Sequence, residues 1–242
     1  MLATRWVPCF MPNKRMIFRQ FIEPDTCTLT YLLGCARTCR AVLIDPVASQ
    51  VEELIESLAG HELDLIFTIE THVHADHITG SGLLRDRLGS KSVLHRDAGT
   101  RCADLLVTDG VLLQVGDIEM RVLHTPGHTA SCISLWAGDR VFTGDTLLIG
   151  GCGRTDFQQG DAGTLYDSIH GKLFSLPPDT LVFPGHDYQG NTVSTIRQEL
   201  AKNPRLGGGI NRDKFIDIMN SLDLAYPRYM HEALPANMAC GQ

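Results

Sequence analysis

Residues 71–77, Thr-His-Val-His-Ala-Asp-His, place three imidazoles and one carboxylate within seven positions of a chain that has ten histidines in all. On extended backbone, side chains two residues apart point the same way, so His72 and His74 face one cavity. Asp76 and His77 add an oxygen and a nitrogen donor at the turn that follows. Three later stretches, TPGHT (125–129), FTGDT (142–146) and FPGHD (183–187), share one form: an apolar strand end, a glycine turn, then a residue of ligand type. These residues are His128, Asp145 and His186. Glycine beside each donor allows positive φ and a close approach of backbone to a bound ion. Imidazole and carboxylate donors thrown from separate loops toward one edge are the makings of a metal site. His61, His95, His124, His170 and His231 lack this context and read as surface or internally satisfied residues.

Such loops need strands behind them. Short β-rich runs at 16–22, 27–33, 40–45 and 63–70 are bounded by Pro, Asp or Gly, and the last delivers the chain into the histidine cluster. Leu54, Ile55 and Leu58 recur at helical spacing, and Gly60 closes that helix. A helix follows the cluster, then a strand at 92–95, strand pairs around 111–123 and 132–143 with a hairpin turn at Ala137–Arg140, a helix over 164–176 and a strand at 180–183. Two helices, 192–202 and 211–221, occupy the tail. Strands arriving in groups with helices interleaved predict a layered α/β architecture, two sheets face to face with helices outside.

Composition fixes the class and excludes several partners. With 43% hydrophobic and 20% charged residues over 242 positions, the chain folds around its own core. A net charge of −7 leaves no basic surface for phosphate backbones, so nucleic acid is not expected as a partner. No apolar run approaches the roughly 20 residues of a membrane span. The eight cysteines are scattered, and reduced thiols are expected, with Cys35 and Cys39 as buried small residues. Residues 1–15 read as a loose extension before a single domain over 16–242. The basic, acid-free start has some transit-peptide character, so the expected location is cytoplasmic, or the mitochondrial matrix if that segment is a transit peptide.

The pattern HxHxDH followed by separate His, Asp and His loops resembles the metallo-β-lactamase fold superfamily, which implies an αββα sandwich with a metal site at one sheet edge. A narrower resemblance rests on LLIGGCGRTDFQQGDAGTLYDSIHGKLFSLPPDTLVFPGHDYQG, on STIRQELAKNPRL and on the tail ALPANMACG. These are similar to the persulfide dioxygenase (sulfur dioxygenase) family over nearly the whole chain from Met16 to Cys240. The resemblance implies one non-haem Fe(II) per chain on His72, His128 and Asp145, three protein donors that leave about three octahedral positions open for O₂ and substrate. It implies glutathione persulfide as substrate, oxidised with O₂ and water to sulfite and glutathione.

In this reading His74, Asp76, His77 and His186 orient the ligands and hydrogen-bond bound water or oxygen. The same four residues are also the set that would hold a second metal. Arg154 and Tyr188, just after ligand-bearing loops, are the candidates to bind the glutathione carboxylates, with Arg228 third; Arg154 has a structural pairing with Asp156 as its other role. Ser131 stands where the family usually has glycine, and Cys240 serves either packing or as a thiol near the site. The competing function is a dinuclear thiolester hydrolase of the glyoxalase II type, which usually carries a longer helical C-terminal region. Oligomeric state is left open, a homo-oligomer being compatible with the sequence.

Overall fold

The computed structural model describes residues 16–242; the extension read at 1–15, with its transit-peptide character, lies outside the described residues. Two six-stranded sheets form. The first runs in the order β1 (Met16–Glu23), β2 (Thr28–Cys35), β3 (Arg40–Ile44), β4 (Asp64–Ile69), β5 (Lys91–His95), β6 (Leu105–Val107). The second comprises β7 (Leu112–Val115), β8 (Ile118–His124), β9 (Ile133–Ala137), β10 (Arg140–Gly144), β11 (Leu181–Pro184) and β12 (Ser194–Thr195), also side by side in chain order.

Every residue of β2 is buried, because both of its faces are covered. Leu29, Tyr31, Leu33 and Cys35 point into the core between the sheets, whereas Leu32 joins Leu43, Leu54, Leu58 and Leu84 under helices α1 (Val51–Gly60) and α2 (Ser81–Leu88). The second sheet splits its residues in the same way. Phe142 and Phe183 face the central core, and Val141 and Val182 face α3 (Ala162–Ser168) and α5 (Arg212–Asn220). Period-two alternation across two buried sheets, with a helical layer on each outer face, is the expected αββα sandwich. Aromatic contacts join the layers: Phe18 lies 4.9 Å from Phe183, Tyr31 5.0 Å from Phe142, and the Tyr31 hydroxyl donates to the Pro184 carbonyl at 2.5 Å.

The strand directions decide where function can sit. β3 pairs parallel with β4, β4 with β5, and β10 with β11, while β9 runs antiparallel to both β8 and β10. Hence β8, β10 and β11 end at one edge. The end of β4 is tied to that edge by the Ile133 amide, which donates to the Thr71 carbonyl at 2.8 Å. The loops after the C-terminal ends of β4, β8, β10 and β11 therefore converge.

Several local expectations change. The helix predicted from 192 starts at Ile196, since Ser194 and Thr195 first pair with β11, and the Thr195 hydroxyl then caps α4 (Ile196–Lys202) by accepting from the Gln198 amide. A further helix, α6 (Met230–Met238), forms in a stretch whose Pro227 and Pro235 hide its periodicity. Cys39 is exposed in the turn before β3, unlike buried Cys35. The thiols are not all reduced: Cys102 and Cys240 form a disulfide across 138 positions, a proximity created by the fold and absent from the local spacing. Among the described residues no helix is long and apolar enough to cross a membrane.

Candidate metal centre

Three donors come together from the two sheets. His72 leaves β4, His128 follows β8 and Asp145 follows β10, and their ligand atoms all lie within 4.8 Å of one another. Two glycines make the approach possible. Gly144 has φ +48°, and a Cβ there would sit 2.4 Å from the Thr71 hydroxyl; a Cβ on Gly153 would meet the Asp145 carbonyl at 2.3 Å and the His128 ring at 2.9 Å. Ser131 is not at positive φ, so its turn forms without the glycine usual there.

The imidazoles are fixed by their outer nitrogens. His128 Nδ1 donates to the Arg154 carbonyl at 2.6 Å. His72 Nδ1 donates to the Thr71 hydroxyl at 3.0 Å, which passes its own proton to Asp45 Oδ2 at 2.8 Å, while the Thr71 amide donates to Asp45 Oδ1 at 2.7 Å. Each Nε2 is thereby left with a lone pair, the form that binds a cation. Burial, reinforced by His74 and His128, pushes the His72 pKa well below its ordinary value and keeps the ring neutral.

Asp145 is shared. Its Oδ1 lies 2.7 Å from His186 Nδ1, and its Oδ2 faces His128 Nε2 at 3.7 Å. Burial opposes its charge, but His186, His128 and His72 together hold the carboxyl far below the usual range. The other side of His186 meets Asp76 Oδ2 at 2.9 Å and the Thr28 hydroxyl at 3.1 Å. Burial alone would lower the His186 pKa; the two carboxylates outweigh it and raise it, giving an imidazolium clamped between two acids.

His72 and His74 lie side by side with ring centroids 4.1 Å apart, yet their nitrogens serve different partners. His74 Nε2 sits 3.1 Å from Asp45 Oδ1 and 3.2 Å from Glu70 Oε2, and its Nδ1 has no hydrogen-bond partner. His77 Nδ1 contacts Asp76 Oδ2 at 2.8 Å, and its buried Nε2 is likewise unpartnered. His74, Asp76 and His77 thus form a second donor group beside the first. Two imidazoles and a carboxylate with bare, converging donor atoms fit a divalent transition ion at His72–His128–Asp145.

A cavity of about 520 Å³ opens over His128 and Asp145, with Arg154, Phe157, Tyr188 and Arg205 among its walls. Arg154 is engaged by Asp156 at 2.6 Å and by the Ala225 carbonyl at 2.7 Å, and its guanidinium stacks over Phe157. The pairing with Asp156 is therefore formed, at the cavity wall. Tyr188 is 71% exposed at the mouth, its ring parallel to that of His186. Arg228 packs over Tyr229 and is not part of the wall.

Sequence reasoning passed over Asp45, Glu70, Thr71 and Arg205. Asp45 offered a signal, an acid ending the apolar run AVLI just before Pro46, where a parallel strand opens onto a site. His95 and His124, set aside from the sequence, come within ligand distance of Asp97, but their rings stack at 4.0 Å and 13°, so their lone pairs run alongside each other and do not converge.

Residues 28–186 match the model of the metallo-beta-lactamase superfamily. The chain is 48% identical to a human mitochondrial persulfide dioxygenase, ETHE1, over 93% of its own length and 89% of that protein, and 46% identical to the bovine one over the same shares. Among solved structures, ETHE1 from Myxococcus xanthus superposes with a TM-score of 0.92 at 50% identity, covering 94% of this chain and 100% of that one.

Proposed function

Because the chain belongs to the persulfide dioxygenase family of the metallo-β-lactamase superfamily, we propose that it oxidises glutathione persulfide with O₂ and water to sulfite and glutathione. One ferrous ion per chain, held by His72, His128 and Asp145, serves that reaction. The observation that carries this reading is the convergence of two imidazole nitrogens and one carboxylate oxygen, of which His128 and Asp145 line a cavity of about 520 Å³. When bound, the ion supplies open coordination positions and the redox capacity that O₂ requires.

The protein's part is to hold that arrangement. Since His186 occupies Oδ1 of Asp145, only Oδ2 is presented, and the carboxylate acts as a single-oxygen donor. The Arg154 carbonyl and the Thr71–Asp45 pair fix both imidazole tautomers. Asp76 lines the cavity and is able to hydrogen-bond water or oxygen beside the ion, oriented by His186, with His74 and His77 behind them. Tyr188 and Arg154 line the path of the substrate and recognise the glutathione carboxylates, Arg154 by exchanging part of its hold on Asp156. Leu148, Ile149 and Phe157 give the cavity an apolar side that excludes bulk water.

A second reading, a dinuclear thiolester hydrolase of the glyoxalase II type, draws on the bare His74 Nδ1 and His77 Nε2 beside Asp76. Anaerobic purification followed by elemental mass spectrometry and an oxygen electrode separates the two. One iron per chain and O₂ uptake dependent on glutathione persulfide, with sulfite formed, is expected; two metals with O₂-independent hydrolysis of S-lactoylglutathione would replace the first reading by the second. We place the enzyme in the cytoplasm or the mitochondrial matrix.

A further inference from the structure

The turn that carries His74, Asp76 and His77 is held from outside by the end of the chain. Asn237, 4% exposed in the last turn of α6, donates through Nδ2 to the His74 carbonyl at 2.9 Å and the His77 carbonyl at 2.7 Å, and its Oδ1 accepts from the Thr79 amide at 2.9 Å. One amide thus satisfies three backbone groups of a buried turn, which water cannot reach to replace it.

The helix presenting Asn237 has little support of its own. It spans nine residues with Pro235 inside, and only Met230, Ala233 and Asn237 are buried. A helix this short and proline-interrupted depends on tertiary ties. Three are present just beyond it. The Gly82 amide donates to the Cys240 carbonyl at 2.9 Å; Gly241, at φ +82°, lies so close that a Cβ would sit 2.1 Å from the Thr79 carbonyl; and the disulfide joins Cys240 to Cys102 in the loop after β5. The same segment begins at the cavity wall, where Leu224, Ala225, Pro227 and Met230 face the donors.

We propose that residues 224–242 form a redox-responsive strap, with Asn237 as a positioning residue for the His74–His77 turn and the Cys102–Cys240 disulfide as its latch. The proposal rests on the reading that this turn borders the metal site. Cys102 is partly exposed and Cys240 buried, so a dithiol reductant attacks the Cys102 sulfur and expels the Cys240 thiolate. The reductant supplies two electrons and two protons and closes its own disulfide, leaving two protein thiols. The end of the strap then rests on Asn237, the Gly82 and Gly241 backbone contacts and the Gln242–Asp86 hydrogen bond, with Arg154 still holding the Ala225 carbonyl at its start, and local opening of the end becomes easier.

Hydrogen exchange on the metal-free protein tests this independently of which ion the site holds. Oxidised protein, protein reduced with dithiothreitol and Cys102→Ser are compared, with alkylation and mass spectrometry counting the thiols. Exchange in residues 74–80 is expected to quicken about tenfold on reduction and in Cys102→Ser, which no longer responds to dithiol, while β2 and β10 remain protected. Asn237→Asp keeps the acceptor for Thr79 but loses both donors, and is expected to quicken the same segment with the disulfide intact. In iron-loaded protein, the rate of iron loss to a chelator should follow the same order. Gly241→Ala, which pushes the tail from Thr79 without touching Asn237 or the cysteines, provides a second route to the open strap if Asn237→Asp does not fold. Exchange in 74–80 within roughly twofold across oxidised, reduced and Cys102→Ser protein, or two alkylatable thiols at 102 and 240 in the oxidised sample, overturns the proposal.

Discussion

Thr71→Val tests whether the hydroxyl between His72 and Asp45 governs the metal centre. The substitution keeps shape and volume but removes the oxygen that accepts from His72 Nδ1 and donates to Asp45 Oδ2. Thr71 is 1% exposed, so water does not take its place. The Thr71 amide still donates to Asp45 Oδ1, and the loop keeps its anchor. Two buried groups then lack partners, each at a cost of about 1–3 kcal/mol, part falling on fold stability and part on metal binding. The metal-binding share arises because His72 loses the acceptor that holds its proton on Nδ1. Loss of such a supporting bond typically weakens a metal by about 10–100-fold, or about 1.4–2.7 kcal/mol. Competition of Fe(II) against a chelator under anaerobic conditions measures this, with Thr71→Ser, which restores the hydroxyl, as the control. Affinity for Thr71→Val within roughly twofold of wild type, or Thr71→Ser falling as far as Thr71→Val, would refute the role assigned to the hydroxyl.

Gly153→Ala puts a methyl group 2.3 Å from the Asp145 carbonyl and 2.9 Å from the His128 ring; a loss of about 1–3 kcal/mol in stability and a fall in bound metal are expected by thermal melting and elemental analysis. Arg154→Ala is expected to raise KM for glutathione persulfide about tenfold with a smaller change in kcat, and to alter KM less for a persulfide lacking the peptide carboxylates. His186→Ala leaves Asp145 and Asp76 facing each other without the cation between them. The depressed Asp145 pKa contributes stability above its ordinary value of 3.8 that is lost in more acid solution, and the raised His186 pKa contributes stability that is full below 6.5 and fades only as pH rises through its higher folded value. Melting of the metal-free proteins should therefore show the largest wild-type advantage between those two values, narrowing toward acid.

The donor residues were legible because metal chemistry restricts residue type and because strand, glycine and donor recur together. His72, His128, Asp145 and His186 could be named from local pattern alone, and the structure gathers them at one edge. The partners of their outer nitrogens were harder. The carbonyl that receives His128 Nδ1 belongs to Arg154, and a backbone oxygen leaves no trace in residue type. Asp45 and Glu70 look like any acids until the fold buries them against His74. The layered architecture followed from the grouping of strands, whereas α6 escaped because tertiary contacts override its prolines. Cys102 and Cys240 could be paired only once the tail was seen to lie against the loop after β5.

His72 comes from one sheet and Asp145 and His128 from the other, so neither half of the sandwich holds the His72–His128–Asp145 set by itself. A cation held by all three donors must wait until the halves have docked, which would make its binding a late event in folding and a report on successful assembly. A chain truncated before β10, or one whose layers have slipped, would lack the complete three-donor set.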